Sequence, residues 1–436
     1  MDFSVESGKS INKLKFYYMK RNLGILLALF VVARVAASEK VKITISNPLD
    51  FSRSSELVEV SKASIDKKLG SEGAVVVRDV DGREIASQIT WDGNLIFQAG
   101  VPAKGKVVYT VERGTPSEYE SLVFGRQFPE RVDDIAWEND RVAFRCYGPA
   151  LQRSGERAWG YDIWNKRTNQ LVVEERYASE LDPDIQKVCR KLRERGENAL
   201  ADDLYNAVSY HVDHGNGMDC YKVGPTLGAG TTAVLENEGK DIHYPRCYVN
   251  YEILDKGPLR FTVKLTYGPE TIDGQTVVET RIISLDAGSQ MNKAVVKYEG
   301  LTREMPIATG IIVHNENPTA YVLNSNNNYM GYEDLGDPNQ YKEKYRAKQN
   351  QDFGKIYVGA VFLKPVEKME FREGEGLPGA IGHILAISDY KTGEYTYYFG
   401  TGWSRNPSTG FQSLTDWEAY LSTFSAQIQN PLKVKL

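Results

Sequence analysis

Cysteine and histidine are scarce in this chain, with four of the first and five of the second among 436 residues. Cys146, Cys189, Cys220 and Cys247 show no CxxC spacing, so the usual thiolate metal sites are excluded. Their even number and wide separation fix no disulfide; a Cys220–Cys247 bridge and free buried thiols are both open readings. There is no HExxH pair, and no GxSxG, P-loop or GxGxxG stands where it would need to be, which removes the motif-defined metalloproteases, serine hydrolases and nucleotide-binding folds. Gly224 to Gly230 is glycine-rich but lacks the Lys-Ser/Thr ending of a phosphate loop. Strand–helix alternation and internal repeats are missing too, so neither a parallel α/β sheet nor a solenoid is expected.

Long apolar runs are also lacking. The longest, Leu23 to Ala33, has about eleven residues, too few to span a bilayer as a helix. It follows Lys13, Lys15, Lys20 and Arg21 and precedes Ala36-Ala37-Ser38, the charged, apolar and small-residue order of a secretory signal peptide. Residues 1–38 are therefore read as a signal region, with Met19 a natural alternative start. The protein is expected to be exported, to the periplasm or beyond, without stable membrane insertion. Removing those residues takes away six basic and two acidic side chains, leaving 47 against 56. A surface of that sign argues against nucleic acid or anionic membrane as partner.

What is present is short alternating strands punctuated by turn dipeptides. Residues 39–114 carry Val41–Ile45, Ala74–Val77, Ile89–Phe97 and Lys106–Val111, with hairpin signals at Asp81-Gly82 and Asp92-Gly93. That spacing predicts an Ig-like β-sandwich. Residues 115–436 continue in the same manner, from Arg141–Tyr147 through Thr396–Phe399, and predict one large antiparallel sandwich. In the second predicted strand of that region Asp162, Trp164 and Lys166 share a face. Peripheral helices are expected at Asp184–Ala207, interrupted by Gly196, and at Leu414–Phe424. Asn324–Gln351 reads as a long polar loop at the rim. The fold class is all-β.

Polar chemistry concentrates between Tyr210 and Gly230, YHVDHGNGMDCYKVGPTLGAG. His211, His214 and His243 fall within 33 positions, and histidine both takes and gives protons near neutral pH. Asp213 or Asp219 would fix a histidine tautomer, and Tyr221 or Tyr244 would serve as the partner acid. Lys222 and Arg246 would hold a sugar carboxylate, Arg in a bidentate manner. Trp137 and Trp164 would stack on sugar C–H faces. These eleven residues suit proton abstraction beside a carboxylate, as in β-elimination, or ring-opening and epimer exchange of a sugar. A divalent metal at His211, Asp213 and His214 has the right ligand types but no established spacing, so no cofactor is expected. Non-catalytic carbohydrate binding through aromatic residues is the alternative. The expected partner is an acidic sugar or oligosaccharide.

The segments PERVDDIAWENDRVAFRCYGPAL, YDIWNKR and HGNGMDCYKVGPTLGAG resemble a secreted bacterial family of unassigned function. Its members accompany genes for pectin and other uronate-glycan breakdown. The resemblance covers nearly all of the chain after residue 38 and implies a galactose-mutarotase-like β-supersandwich, a fold used by lyases, epimerases and binding modules alike. It assigns no catalytic residue.

Overall fold

The structure, a computed structural model, describes residues 40–336 and 352–436. The signal region at 1–38, with its alternative start at Met19, lies outside the described residues, as does the second half of the expected loop at Asn324–Gln351. The chain is all-β and sandwich-like, as the alternation predicts. Every strand pairing among the described residues is antiparallel, apart from an isolated bridge between Tyr161 and Gly228.

Near the N-terminus, Lys40–Ser46, Lys106–Arg113, Val75–Arg78 and Glu84–Ile85 form one sheet, which Lys433–Lys435 extends at its edge. The chain's last strand therefore returns to its first. A three-stranded sheet of Arg53–Ser61, Asn94–Val101 and Ser87–Ile89 accompanies it. Ile43, Ile45, Val77, Phe97 and Val111 are fully buried in their own core. The Asp-Gly turns sit where the sequence places them. Gly82 and Gly93 adopt φ of 78° and 81°, the left-handed region that a tight hairpin needs and a Cβ disfavours.

Three further sheets hold the main core. One has five strands: Gly217–Asp219, Asp162–Lys166, Ala143–Cys146, Asp134–Asn139 and Val123–Phe128 in that order. The second also has five, centred on Met305–His314 and Ala380–Tyr390, and the third has nine. Helix Leu414–Gln429 lies on the nine-stranded sheet. Its Trp417 and Leu421 come down on Gly331 and Gly359, which face each other in register. A Cβ at Gly359 would stand 2.7 Å from Leu421, so glycine is what allows this approach. Ser413 caps the helix by accepting from the amide of Asp416 at 3.2 Å.

Two expectations need correction. The predicted helix at 184–207 is two helices, Pro183–Glu194 and Asn198–Asn206, with Gly196 at φ 77° between them. The first part of the expected rim loop is a hairpin of Tyr321–Asn324 and Tyr329–Leu335, turned by Asn328 in the left-handed region. Asparagine tolerates that conformation, so a polar Asn run hid a turn.

Candidate functional site

The five-stranded sheet that ends on Gly217–Asp219 has two unlike faces. Strand alternation puts Trp137, Phe144, Ile163 and Met218 into the main core. The opposite face carries Asp134, Glu138, Arg145, Asp162, Lys166 and Asp219, all buried. Burial is completed by helix Val173–Glu180 and by Trp164, Tyr177 and Tyr210, whose rings form a small aromatic cluster with centroids 4.5–5.8 Å apart. Charged residues at inward positions of four adjacent strands must satisfy one another, since water does not reach them.

Arg145 is the centre. Its Nε donates to Asp162 Oδ2 at 2.8 Å, and its Nη2 donates to Asp219 Oδ2 at 2.8 Å and to the Tyr147 hydroxyl at 2.9 Å. Tyr147 in turn donates to Asp162 Oδ2 at 2.9 Å. Asp134 stands 3.9 Å from Nη1 and accepts from Tyr177 at 3.2 Å. Arg131, half-buried, stands 3.9 Å from the same carboxylate on its outer side. Tyr147 and Trp164 lie against the guanidinium plane, at 4.7 and 5.1 Å.

Three carboxyls around one enclosed guanidinium leave excess negative charge. Burial pushes Asp162 up to about 7; Arg145 opposes this and the Asp219 charge adds to it. Burial likewise raises Asp134 to about 6 against the pull of Arg145 and Arg131. Burial thus sets Asp162 and Asp134 above the ordinary carboxylate range, as is found for groups that act as general acid or base. His211 connects the cluster to the surface. Its Nδ1 faces the Asp219 carbonyl at 3.2 Å and Asp219 Oδ2 at 3.6 Å, and its side chain is 19% exposed. Both neighbours are acceptors, which assigns the hydrogen to Nδ1.

The structure thus brings together His211 and Asp219 of the residues expected from sequence, and disperses the others. Asp213 is a clamp: its Oδ1 accepts from the amides of Gly215 and Gly217 at 2.9 and 3.0 Å, and its Oδ2 meets Arg167 and Arg405 at 3.3 and 3.2 Å. His214 is exposed, with Nε2 3.1 Å from the Ser209 carbonyl. Tyr221 is buried, its hydroxyl without a hydrogen bond and its ring edge-on to His314; Asp162 and Asp334 both act on it electrostatically. The Lys222 carbonyl faces His314 Nε2 at 2.9 Å, while its ammonium lies beside Gly379. His243 Nδ1 is 3.1 Å from Glu236 Oε2 on an edge strand. Tyr244 packs against Trp159 and His383, at 5.2 and 5.9 Å between centroids. Arg246 is exposed beside a separate pocket.

Trp137 and Trp164 offer no stacking surface, because both are fully buried. Trp137 donates from Nε1 to Asn292 at 2.8 Å in the main core, and Trp164 roofs Arg145. All four cysteines are free thiols. Among the described residues no three His, Cys, Asp or Glu side chains converge as metal ligands. No helix there is long and apolar enough to cross a membrane. Sequence reading missed Arg145, Tyr147 and Asp134, and placed Asp162 on a face without giving it a role. Their signal is a charged side chain at an inward position of an alternating strand.

A family model described as "Domain of unknown function (DUF4861)" matches residues 45–434. The chain is 26% identical over 419 residues to "Uncharacterized protein P7" of Formosa agariphila, covering 92% of this chain and 94% of that one. Two solved structures from Enterococcus faecalis, an alpha-mannosidase and a protein in glycosyl hydrolase family 38, superpose with a TM-score of 0.46 at 10% identity. They cover 97% and 98% of this chain, which spans about half the length of each, 50% and 52%.

Proposed function

The chain belongs to the DUF4861 family, a domain of unknown function, and for this member we propose an exported enzyme that moves protons on uronate-containing sugars. The observation that carries the reading is the buried cluster in which Arg145 joins Asp162 to Asp219, with His211 against Asp219 at its outer side; burial raises the Asp162 carboxyl to about 7. Such a group changes protonation at working pH, as acid–base chemistry requires. Asp219 orients His211, and His211 stands between the cluster and solvent. In elimination a base takes the proton next to the sugar carboxylate, the electron pair forms the C=C bond, and an acid protonates the departing glycosidic oxygen. In epimer exchange the proton returns to the opposite face of the same carbon and the glycosidic bond stays. In anomer exchange of a free sugar the base takes the anomeric hydroxyl proton, an acid protonates the ring oxygen, and the C1–O5 bond opens and re-forms as both protons go back. In this reading His211 exchanges the proton with the sugar, and Asp162, joined through Arg145 to the Asp219 that orients His211, sets the charge of the cluster behind it. The sequence resemblance to proteins that accompany uronate-glycan breakdown supports an acidic sugar as substrate.

A second reading, carbohydrate binding without turnover, is favoured by one feature. Trp159 is half-buried and lies on Tyr244, an aromatic pair at the surface of the kind sugars stack on. Incubation with pectic and glucuronate oligosaccharides separates the readings. Ultraviolet absorbance reports an unsaturated uronate, and sugar NMR reports epimer or anomer exchange. Turnover that Asp162→Asn abolishes supports the enzyme. Binding of the same sugars without either signal leaves the binding protein as the answer.

A further inference from the structure

Two arginines that sequence reading did not single out meet on the loop that carries His211. Arg167 Nη1 and Arg405 Nη2 stand 3.3 and 3.2 Å from one atom, Asp213 Oδ2. The other oxygen of Asp213 holds the amides of Gly215 and Gly217. Gly217 opens the strand Gly217–Asp219, and the Asp219 carbonyl at its far end faces His211 Nδ1 at 3.2 Å. Those two ends lie about 7 Å apart along the strand, two steps of extended backbone. Arg167 and Arg405 keep side chains 44% and 22% exposed, and Arg167 spends only its Nη1 on the protein. Arg405 is braced by the Asp352 carbonyl and lies over the Trp403 ring at 5.4 Å.

The positive charge there exceeds the negative. Arg176 lies against the same loop: its Nη2 donates to the Asn216 carbonyl at 2.8 Å, to which the Arg167 amide donates at 3.0 Å. Arg176 is buried, and its Nε and Nη1 have no hydrogen bond. Glu138, Asp219 and Asp213 act on it only from beyond ion-pair distance, and each has its own cation, in Lys166, Arg145 and the two arginines. Asp352 stands 4.0 Å from Arg405 Nε with its side chain 81% exposed, where water screens the pair. Three guanidiniums against Asp213 and a screened Asp352 concentrate positive charge on a chain that is acidic as a whole, net −5. We propose that Arg167 and Arg405 bind the carboxylate of an acidic sugar unit beside His211 and so select uronates over their esters. The inference rests on the uronate reading above and supplies it with recognition residues, in place of the dispersed Lys222 and Arg246. A guanidinium donates paired N–H bonds to a carboxylate, which an uncharged ester answers far more weakly.

Isothermal titration calorimetry on the full chain compares galacturonate and glucuronate oligosaccharides with their methyl esters at constant ionic strength. The free acids are expected to bind more tightly than the esters. Arg167→Gln and Arg405→Gln should each weaken binding of the acid about 10- to 100-fold, the loss of a hydrogen bond to a charged group, and leave the ester where it was. Arg167→Lys, which keeps the charge without the planar fork, should fall between wild type and Arg167→Gln. Arg167 makes one ion pair at a partly exposed position, so its variants should melt close to the wild type. Equal losses of acid and ester in the variants would make the pair structural and overturn the proposal. So would equal binding of acid and ester by the wild type, inorganic sulfate binding as tightly as the acids, or no binding of any acidic sugar. The enzyme reading fails separately: there the wild type selects the acid, the arginine variants lose it, and no sugar is turned over.

Discussion

His314 Nδ1 lies 3.0 Å from Asp334 Oδ1, and its Nε2 lies 2.9 Å from the Lys222 carbonyl. Both partners accept, so the buried ring satisfies them only when both nitrogens carry hydrogen. Burial works against that charge, but Asp334 and the two hydrogen bonds outweigh it and hold the pKa above the ordinary value of 6.5. A pKa raised in the folded state gives stability that is fully present below the unfolded value and is lost as pH rises through the folded one. Comparing urea denaturation of wild type and His314→Gln should therefore give a gap that is widest below about pH 6.5 and closes as pH rises. A gap that widens with pH would contradict the doubly protonated ring.

Asp162 should appear in the pH dependence of turnover. With its carboxyl near 7, kcat/KM on a uronate substrate should bend near that pH. Asp162→Asn should remove the bend and lower kcat by about 100- to 10,000-fold. Tyr147→Phe, which keeps the carboxyl but takes away its donor, should shift the bend to higher pH. An Asp162→Asn enzyme with wild-type kcat would move the chemistry elsewhere.

The two neighbouring histidines should behave differently. His211 is oriented by Asp219, whereas the exposed His214 meets only a backbone carbonyl in the hydrogen bonds above. Turnover should fall about 100-fold or more in His211→Ala and stay at the wild-type level in His214→Ala. Equal losses in both would refute the assignment of the relay to His211.

Asp213 should matter for stability. Removing it leaves two glycine amides without their acceptor and takes an ion-pair partner from Arg167 and Arg405. Asp213→Ala is expected to cost about 1–3 kcal/mol in urea denaturation. Saturating substrate should restore kcat in whatever fraction stays folded. A variant of full stability with no turnover would return Asp213 to the chemistry.

The pair Lys166 and Glu138 offers a test of the face itself. Their side chains are wholly buried with Nζ 2.6 Å from Oε2. The other carboxylate oxygen accepts from the amides of Val172 and Val173 at 2.7 Å, starting a helix whose own N-cap residue, Val172, cannot cap it. Breaking one partner of such a pair costs about 3–5 kcal/mol. Lys166→Met should show that loss in denaturation, and the double change Lys166→Met with Glu138→Gln should recover part of it.

By itself the sequence determined what local rules control. Alternation put Asp162, Trp164 and Lys166 on one face, and they share it in Asp162–Lys166. Asp-Gly pairs announced the hairpins, and Gly196 announced an interruption in the helical stretch, though not that it parts two separate helices, because backbone conformation there depends on one residue's missing Cβ. Meetings across strands were left to the tertiary structure. Arg145 finds Asp162 17 positions away and Asp219 74 positions away through the register of three strands, which no local spacing encodes. His211 and His214 stand three positions apart, yet one turns toward a buried carboxylate and the other toward solvent. Trp137 and Trp164 looked alike as sugar platforms and ended on opposite faces of one sheet, both covered. Burial is a property of what packs above a residue, and helix Val173–Glu180 decided it for this site, turning a row of charged strand positions into a closed array in which the Asp162 and Asp134 carboxyls are raised.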